Sequence, residues 1–554
     1  MKPLSRGSTE STQPTVHRPP AIDRPQGLVS ESQGGPLPRA LQQVPYLASH
    51  LRLDRWTLVS FSLPLLLYLF TLPPTVYNLD SAELTTAAAT GGLMRATGYP
   101  LYLTVGYLWS HLPIGDVGYR LNLFSAVTGA LTLALAAQIL RRLRVGGWAI
   151  FGALGLLATG TYFWGLSLIA EVYTLHTALM AGLILALLFW GEAPSPRRLG
   201  LVGLLTGLGL AHHAAFVLLL PGLAWYLLVV APRAVFAPRA LLLASAGLLL
   251  GLSFYLYLPL RYAAGPAFNY AGTYDAALVF HPVDLRTPAG IWWVVTGRSF
   301  AGQMFAYQGA ELWGETWNFV GHLSQAFFTA GVGPGILGLF LLARRDWRKA
   351  GMLGLMFAAS AAFYIDYRVI DKATMFLPAY LVWALWAGYG FQQLLAWMRQ
   401  VSPGRAGSWS VSLLRGVMVA AVLLAVAWNW RLVDLSGDWS ARARGESILR
   451  NAQADALVFG WWDTVPILQY LQLVEGQRPD VQAINRFLIS PANMERAIQA
   501  QLPDRPVYVD SAPVDMLGTI AARPAGPVYR LSLNSSSTGF PGQEAKTEPP
   551  EDRR

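Results

Sequence analysis

The sequence predicts a polytopic α-helical membrane protein with about 11 transmembrane helices and a small extracytoplasmic α/β domain at its C-terminus. Of the 554 residues, 54% are hydrophobic and only 13% are charged. Apolar runs of about 18 or more residues, long enough to cross the hydrocarbon core of a bilayer, recur along the chain. After residue 430, strand-like and helix-like segments alternate, which is typical of a small parallel sheet.

The pattern of apolar runs and basic loops sets the predicted topology. Basic side chains lie in alternate loops, and Lys and Arg gather on the cytoplasmic side, so the N-terminus is predicted to be cytoplasmic. The loops 73–119 and 261–318, the short loop 366–373 and the C-terminal tail are then outside. The predicted spans are 56–72, 120–140, 147–166, 172–190, 199–213, 214–231, 240–260, 319–342, 350–365, 374–397 and 411–430.

This topology requires that residues 98–112 do not cross the membrane. The segment is short for a span and rich in Tyr and Trp, whose rings prefer the membrane interface. We interpret it as a helix that lies along the outer surface. As a span, it would place Arg141, Arg142 and Arg144 on the wrong side.

Composition divides the chain into four predicted regions. Residues 1–50 are rich in Pro, Ser, Gln, Gly and Arg and lack the pattern of a cleaved signal peptide, so they are predicted to be a disordered cytoplasmic tail. Residues 51–430 form the transmembrane domain, 431–532 the α/β domain, and 533–554 a second disordered tail. The net charge of +10 reflects cytoplasmic loops, and no nucleic-acid partner is expected. The chain has no cysteine, which excludes disulfides and thiolate metal sites.

Asp80 and Glu83 are the main candidates for catalysis. They lie three residues apart, on one face of a predicted helix just after the first span. A carboxylate beside hydrocarbon is costly unless it has a function. One acid is predicted to be a general base that accepts a proton from a hydroxyl nucleophile. The alternative is a capping box, in which Asp80 caps the helix and Glu83 reaches back to it.

Further polar residues lie near the ends of the predicted spans, each with a structural alternative. His212 and His213 could recognise a phosphate or join a metal site, or their side chains could be hydrogen-bonded at a helix bend. Arg261 could hold a lipid phosphate or anchor the seventh predicted span at the membrane interface. Glu171 opens the fourth span with Tyr173 and could be a helix-start carboxylate that the helix dipole favours. The charged loop with Asp371 and Lys372 could complete a site or be a solvated turn.

The tail contributes one further candidate. Trp461, Trp462 and Asp463 follow its first predicted strand, and sites often form at the carboxyl ends of parallel strands. The paired Trp could meet a sugar or the membrane surface, or could pack against the membrane domain.

Several motifs in order along residues 56–490 resemble one family. They are Asp80-Ser-Ala-Glu83, Gly98-Tyr-Pro-Leu-Tyr102, Arg120-Leu-Asn122, Glu171-Val-Tyr173, His212-His213, Tyr257-Leu-Pro-Leu-Arg261, Asp371 with Phe376-Leu-Pro-Ala-Tyr380, and Glu475-Gly-Gln-Arg478. The series resembles the protein O-mannosyltransferase-like membrane proteins, a family that includes transmembrane protein 260, within the GT-C glycosyltransferases. Two departures stand out: the family commonly has His-Pro-Pro before Gly-Tyr-Pro, where this chain has Arg95-Ala-Thr, and a Gly where it has Ala82.

The resemblance implies a GT-C-like fold and a polyprenyl-phosphate sugar donor. It implies that Asp80 is the catalytic acid and Glu83 its companion. The positions implied to line the cavity are Tyr102, Glu171, His212, Arg261 and Asp371, and their motif neighbours Tyr99, Tyr173, His213 and Lys372 complete the predicted substrate-binding residues.

The leading hypothesis is an inverting membrane glycosyltransferase that moves a mannose-like hexose to an acceptor hydroxyl on the outer face. The acceptor would be a protein, glycan or lipid, and the membrane would be the cytoplasmic membrane of a bacterium. The rival hypotheses are a transporter or flippase for a lipid-linked sugar, and a noncatalytic assembly subunit. A divalent cation is the one cofactor left open, because two carboxylates are too few to establish a metal site.

Overall fold

A computed structural model describes residues 54–401, 405–511 and 520–533 of the chain. The predicted disordered tails 1–50 and 533–554 lie outside these residues, apart from Leu533. The described part is mostly helical, with two small sheets in its non-membrane regions.

The first group of helices builds the start of the membrane domain and the loop that carries the acids. Asp54 caps the first helix through a bond from the Thr57 amide to its carboxylate. A helix N-cap at Asp116 begins the second long helix in the same way. The helices are α1 (Arg55–Thr71), α2 (Asp80–Thr90), α3 (Pro100–Ser110), α4 (Val117–Arg142), α5 (Gly147–Thr159), α6 (Thr161–Leu166), α7 (Tyr173–Glu192) and α8 (Pro196–His212).

The middle of the chain continues the membrane domain and adds a second non-membrane loop. A short hairpin of β1 (Gly272–Tyr274) and β2 (Phe280–Pro282) lies in that loop. The helices are α9 (Leu220–Val230), α10 (Pro232–Val235), α11 (Pro238–Leu252), α12 (Tyr257–Ala263), α13 (Pro288–Val295), α14 (Gly309–Ala326), α15 (Val332–Arg345), α16 (Trp347–Ile365), α17 (Lys372–Met375), α18 (Leu377–Val401) and α19 (Arg405–Val433). Short 3-10 helices cover Ala214–Leu219, Ser253–Leu256 and Arg298–Gln303.

Within the described residues, four helical stretches are long and apolar enough to cross a membrane by length and composition: Val117–Arg142, Tyr173–Glu192, Pro238–Ala263 and Gly407–Val433. Three shorter apolar stretches are Arg55–Thr71, Gly147–Thr159 and Ala214–Val230. These seven stretches overlap predicted spans, but the predicted number of eleven is not established by them.

The predicted continuous span 319–342 is wrong. α14 ends at Ala326 and α15 begins at Val332. Between them, Phe328 and Thr329 have positive φ angles of 48° and 57°, which a right-handed helix does not allow. The helix therefore breaks inside the apolar run, where hydropathy alone gave no signal.

The predicted surface segment 98–112 contains the helix α3. Its 11 residues correspond to a length of about 16 Å, which is too short to cross a bilayer. Pro100 starts the helix, at a position where the missing amide hydrogen costs nothing. The inner face of α3 is buried, whereas Tyr107 and Leu108 are exposed.

The C-terminal part folds around a five-stranded sheet with the order β4-β3-β5-β7-β6. β3 pairs in parallel with β4 and β5, as the alternating pattern predicted, whereas β7 pairs antiparallel with β5 and β6. The strands are β3 (Leu457–Gly460), β4 (Gln482–Asn485), β5 (Val507–Val509), β6 (Ile520–Ala525) and β7 (Val528–Leu533), and the helices are α20 (Ser440–Asn451), α21 (Val465–Leu473) and α22 (Pro491–Gln501), with a 3-10 turn over Arg486–Leu488.

The sheet domain packs directly on the loop that carries the acids. Val76 and Ala82 of that loop share one buried cluster with Ile467 and Tyr470 of α21. The Tyr470 hydroxyl accepts a hydrogen bond of 3.2 Å from the Gly118 amide. α21 therefore lies against α2, and this contact fixes the sheet domain relative to Asp80 and Glu83.

Gly118 supports a testable prediction about this junction. A Cβ on Gly118 would lie 2.2 Å from the Val76 nitrogen and 2.4 Å from its Cα, and backbone atoms cannot move aside cheaply. We expect Gly118→Ala to lower the free energy of unfolding by about 1–3 kcal/mol in a detergent-solubilised unfolding assay. Gly416→Ala is the control, because a Cβ there meets nothing within 4 Å. Equal stability of the two variants would contradict the close packing of this loop on α4.

Candidate active site

Asp80 and Glu83 occupy the first turn of α2. The N-cap of that helix is Leu79, which has a positive φ of 56°, and no side chain caps the helix. The capping-box alternative is therefore wrong, because Asp80 already lies inside the helix. Both carboxylates point instead toward a shared partner.

That partner is Arg95. Its Nη2 donates to Oδ1 of Asp80 at 2.8 Å, and its Nε donates to Oε2 of Glu83 at 3.3 Å. The Asp80 side chain is 43% exposed, whereas the Glu83 side chain is 0% exposed. One guanidinium is thus shared by an acid that faces solvent and an acid that does not.

The position of Arg95 follows from strand-like pairing between two loops. The Leu93 amide donates to the Phe268 carbonyl at 2.9 Å, and the Tyr270 amide donates to the Leu93 carbonyl at 2.8 Å. Gly92 allows this approach, because a Cβ there would lie 2.8 Å from the Phe268 carbonyl oxygen. The second loop thereby holds Arg95 opposite the acids.

The sheet domain closes the other side of the cluster through Trp462. Its indole nitrogen donates to Oε2 of Glu83 at 2.6 Å. The Arg95 guanidinium lies 4.4 Å from the centroid of the Trp462 ring, a cation–π contact. Phe487 packs against the same indole at 4.3 Å. Trp462 therefore packs against the membrane domain, which is the structural alternative for this residue. Its contact there is with Glu83, a candidate catalytic residue.

Burial raises the pKa of Glu83 to about 7. The positive charge of Arg95 and the hydrogen bond from Trp462 act in the opposite direction, while the negative charge of Asp80 adds to the rise. The second oxygen of Glu83, Oε1, is buried and has no hydrogen-bonding partner among the described residues. The Glu83 carboxyl is therefore expected to gain and lose its proton near neutral pH.

Two further predicted acids share the electrostatic environment of Asp80. Burial and the charges of Asp80 and Asp371 raise the pKa of Glu171 well above its ordinary value. Loss of hydration, followed by the charge of Asp80, raises the pKa of Asp371. The positive charge of Arg95 opposes both shifts, so four predicted acids, Asp80, Glu83, Glu171 and Asp371, lie within the electrostatic influence of one cation.

The predicted aromatic and histidine residues form a neighbouring row of rings. Tyr99 donates its hydroxyl to the Ala96 carbonyl at 3.3 Å, next to Arg95. The ring of Tyr99 lies 5.3 Å from that of His213, and the ring of Tyr102 lies 6.2 Å from that of His212. Tyr173, at the start of α7, packs against the same buried cluster as Tyr102. The structure thus groups all of these predicted residues.

Arg261 is not placed with the acids. Its Nε donates to the Gly91 carbonyl at 2.5 Å and its Nη2 to the Thr90 carbonyl at 3.3 Å, both at the C-terminus of α2. A cation here complements the helix dipole and satisfies terminal carbonyls. α2 has 11 residues, so Arg261 lies about 15 Å along the helix from Asp80. Arg261 therefore has a structural role at this helix end, and its predicted contact with a lipid phosphate stays a prediction.

Lys372 also bonds to residues outside the cluster of acids. Its ammonium forms a salt bridge with Glu315 of α14 and lies 4.3 Å from the centroid of the Tyr307 ring. It also donates to the Ile365 carbonyl at 3.3 Å. The lysine therefore joins the second loop to the segment after α16, while the charge of Asp80 acts on its neighbour Asp371.

The sequence did not predict Arg95 as a site residue. The one signal was that Arg95 stands where the family motif commonly has His. The sequence also did not predict His176, which lies 6.1 Å from His212 ring to ring, because an isolated His in an apolar run carries no motif. Among the described residues, no group of three or more His, Asp or Glu side chains is placed to hold a metal ion.

The fold is similar to that of solved membrane-protein structures. The structure is similar to ArnT from Cupriavidus metallidurans bound to undecaprenyl phosphate, with a TM-score of 0.55 and 13% identity over 91% of this chain and 100% of that chain. It is similar also to the apo state of that protein, with a TM-score of 0.56 and 14% identity over 86% and 97% of the two chains. The predicted GT-C-like fold is confirmed.

The resemblance to the protein O-mannosyltransferase-like family is likewise confirmed. Residues 80–235 match the model of the protein O-mannosyl-transferase TMEM260 N-terminal domain. A mouse relative named protein O-mannosyl-transferase TMEM260 is 26% identical over 449 residues, which cover 76% of this chain and 61% of the relative. A Dictyostelium discoideum relative with the same name is 22% identical over 470 residues, which cover 77% and 56%. The chain thus spans about three fifths of the length of these relatives.

The relatives correct the predicted location. A bacterial cytoplasmic membrane was expected, but the mouse and Dictyostelium proteins are eukaryotic, and this finding contradicts that expectation. The physical reason for the error is that basic loops and apolar spans report which side of a membrane a loop occupies, but not which membrane it is.

The raised pKa of Glu83 gives a prediction with a definite sign. A carboxyl whose pKa rises on folding contributes stability below its ordinary value of 4.5, and that stability is lost as the pH rises through about 7. We expect the wild type to lose stability relative to Glu83→Gln between pH 4.5 and pH 7, measured by thermal unfolding in detergent. Glu495→Gln is the control, because Glu495 is an exposed acid on α22. The wild type should lose no stability relative to this variant over the same pH range. A parallel pH profile for wild type and Glu83→Gln would contradict the assignment.

Proposed function

We propose that this protein is an inverting membrane glycosyltransferase that moves a mannose-like hexose from a polyprenyl-phosphate donor to an acceptor hydroxyl. The reaction takes place at the face of the membrane domain that carries Asp80, which we assign to the non-cytoplasmic side because the basic loops lie at the opposite helix ends. The acceptor belongs to a protein, a glycan or a lipid. The observation that carries the proposal is the half-exposed carboxylate of Asp80, held in the first turn of α2 beside a buried acid and a shared cation.

Asp80 is the residue that can take a proton. Only its Oδ1 accepts from Arg95, and the exposure of the side chain leaves Oδ2 open to an incoming hydroxyl. In the proposed step, the acceptor oxygen bonds to the anomeric carbon and its proton passes to Asp80. The bond from that carbon to the donor phosphate breaks, and the polyprenyl phosphate leaves. Attack from the side opposite the phosphate inverts the anomeric centre.

Arg95 provides the positive charge near the departing phosphate. Its guanidinium bridges the two acids, so it occupies the position that a divalent cation between Asp80 and Glu83 would need. Those two acids therefore do not fit such a cation, and the charge that stabilises the phosphate comes from the arginine. Glu83 and Trp462 hold the guanidinium from behind.

A donor carried by a lipid agrees with the surroundings of the site. Asp80 lies just after the first membrane helix, where a sugar on a lipid phosphate can reach it from the bilayer. The fold supports this choice, because the similar ArnT structure is described as bound to undecaprenyl phosphate. The family names of the mouse and Dictyostelium relatives support a mannose-like sugar.

The test of the mechanism is transfer by the purified protein in lipid, with a panel of polyprenyl-phosphate sugars and hydroxyl acceptors. We expect Asp80→Asn to lower transfer by about 100-fold or more, because the base is lost. Its stability should change by less than about 1 kcal/mol, since the broken ion pair is partly exposed. Asp284→Asn is the matched control: it removes a carboxylate of similar exposure, 41%, from an ion pair with Arg286. Full transfer by a folded Asp80→Asn protein would contradict the proposal.

A second candidate is a noncatalytic subunit that retains the fold. The observation in its favour is the pairing of both acids with Arg95, at the position where the family commonly has His. A wild type that is silent across the panel, together with an Arg95→His variant that transfers sugar, would favour this candidate. Transfer by the wild type would exclude it, and export of a lipid-linked sugar without transfer would favour the transporter instead.

A further inference from the structure

We propose that Asn122 is a positioning residue of the transferase, and that it holds Glu171 in place beside Asp80. This inference rests on the proposed function and concerns how two acids of the site are fixed relative to each other. Asn122 lies in the second turn of α4, within the motif Arg120-Leu-Asn122, and its side chain is fully buried.

The connection that carries Glu171 is held by side chains of α4. Residues 167–172 join α6 to α7 outside the regular helices. The Glu171 amide donates to Oγ of Ser125 at 3.2 Å, and the Ala170 amide donates to Oδ1 of Asn122 at 3.0 Å. Both acceptors are buried side chains of α4. The position of Glu171 therefore depends on α4.

The amide that Asn122 binds also bonds to the helix of the proposed base. The Ala170 amide lies 3.1 Å from Oγ of Ser81 and so forms a three-centre hydrogen bond. Ser81 follows Asp80 in α2, and Ala170 precedes Glu171, so the neighbours of the two acids meet at one hydrogen. The negative charge of Asp80 acts on Glu171 as well. This hydrogen bond therefore sets the spacing of the two acids.

Asn122 also binds the segment that leads from α1 to Asp80. Its Nδ2 donates to the Thr75 carbonyl at 2.8 Å and to the Pro73 carbonyl at 3.5 Å. An Asn side chain offers an acceptor and two donors, and here its oxygen and both of its hydrogens are used. An Asp would lack the donors, and an apolar side chain would lack all three groups. The residue type thus suits a position between two backbone segments.

Small residues on the same face of α4 allow both segments to approach Asn122. Gly118 and Gly129 lie four residues before and seven residues after Asn122, on one face of the helix. A Cβ on Gly118 would lie 2.2 Å from the Val76 nitrogen, and a Cβ on Gly129 would lie 2.5 Å from Oγ of Ser167. The short side chain of Asn122 therefore reaches backbone groups on both sides.

The test is a double-mutant cycle between Asn122→Ala and Glu171→Gln. The readout is the single-turnover rate of sugar transfer from a polyprenyl-phosphate donor by the full-length protein in lipid, so that slow variants stay measurable. A residue that acts through Glu171 loses its effect once that carboxyl is removed, whereas general damage to the fold does not depend on it.

Asn429→Ala is the matched control, because Asn429 is also a buried Asn that joins separate segments. Its Nδ2 donates to the Thr159 carbonyl at 2.8 Å, and its Oδ1 accepts from the Thr161 hydroxyl at 3.2 Å. These bonds connect α19 to the junction of α5 and α6. They do not involve the segments that carry the two acids.

We expect Asn122→Ala to lower the single-turnover rate by about 10- to 100-fold, because small displacements of groups in an active site have large effects on rate. In the Glu171→Gln background it should lower the rate by less than about twofold. Asn429→Ala should lower the rate by less than about twofold in either background.

A second variant keeps the test decisive if Asn122→Ala does not fold. Ser81→Ala combined with Ser125→Ala removes only the two hydroxyls that accept from the amides of Ala170 and Glu171. It should lower the rate by about five- to tenfold, again only while Glu171 is present. If Glu171→Gln shows no measurable transfer, Glu171→Asp takes its place in the cycle.

Additive losses from Asn122→Ala and Glu171→Gln, or equal losses from Asn122→Ala and Asn429→Ala, would overturn the positioning role and leave the proposed function intact. A Glu171→Gln protein that transfers at the wild-type rate would overturn it too. A wild type that transfers no sugar would instead overturn the proposed function, and this inference with it.

Discussion

The buried carboxyl of Glu83 is the constraint on which the rest of the site depends. A carboxyl without exposure is stable only if its charge is paired or lost. Here Arg95 and Trp462 supply a charge and a hydrogen bond, and they come from different parts of the chain. The fold must therefore bring α2, the segment before α3 and the end of β3 to one point. Asp80 gains its position from this arrangement, because the same guanidinium holds it at the edge of solvent.

This constraint explains why the non-membrane segments pack as they do. The second loop pairs with Leu93 and so sets the position of Arg95, while α21 of the sheet domain packs on α2 and places Trp462 over the guanidinium. Arg261 belongs to the same framework, since it satisfies the carbonyls at the far end of α2. The sheet domain is thus part of the proposed active site. Its contribution is to hold the cation and the buried acid, while the half-exposed Asp80 remains free to react.

Sequence patterns predicted the helical membrane domain, the strands of the C-terminal part and the grouping of Asp80, Glu83, Glu171 and Asp371, because hydropathy and motif order report these features directly. They could not predict the break between α14 and α15, which depends on the backbone conformation of Phe328 and Thr329. They also could not predict which groups of the protein bind Arg261 and Lys372, because a sequence shows a cation but not its partner. The partners, which are the carbonyls at the C-terminus of α2 and the Glu315 carboxylate, lie far away along the chain. Arg95 was visible only as a departure from the family motif.

The most direct test of this account is a double-mutant cycle between Glu83→Gln and Trp462→Phe. Unfolding of the detergent-solubilised protein would be measured at pH 8, above the pKa of Glu83 of about 7, so that the carboxylate is charged. The account predicts that the two changes are coupled by about 0.5–3 kcal/mol, since the indole donates directly to that carboxylate. Additive effects, with a coupling below about 0.3 kcal/mol, would show that the sheet domain does not hold the acid and would contradict the account.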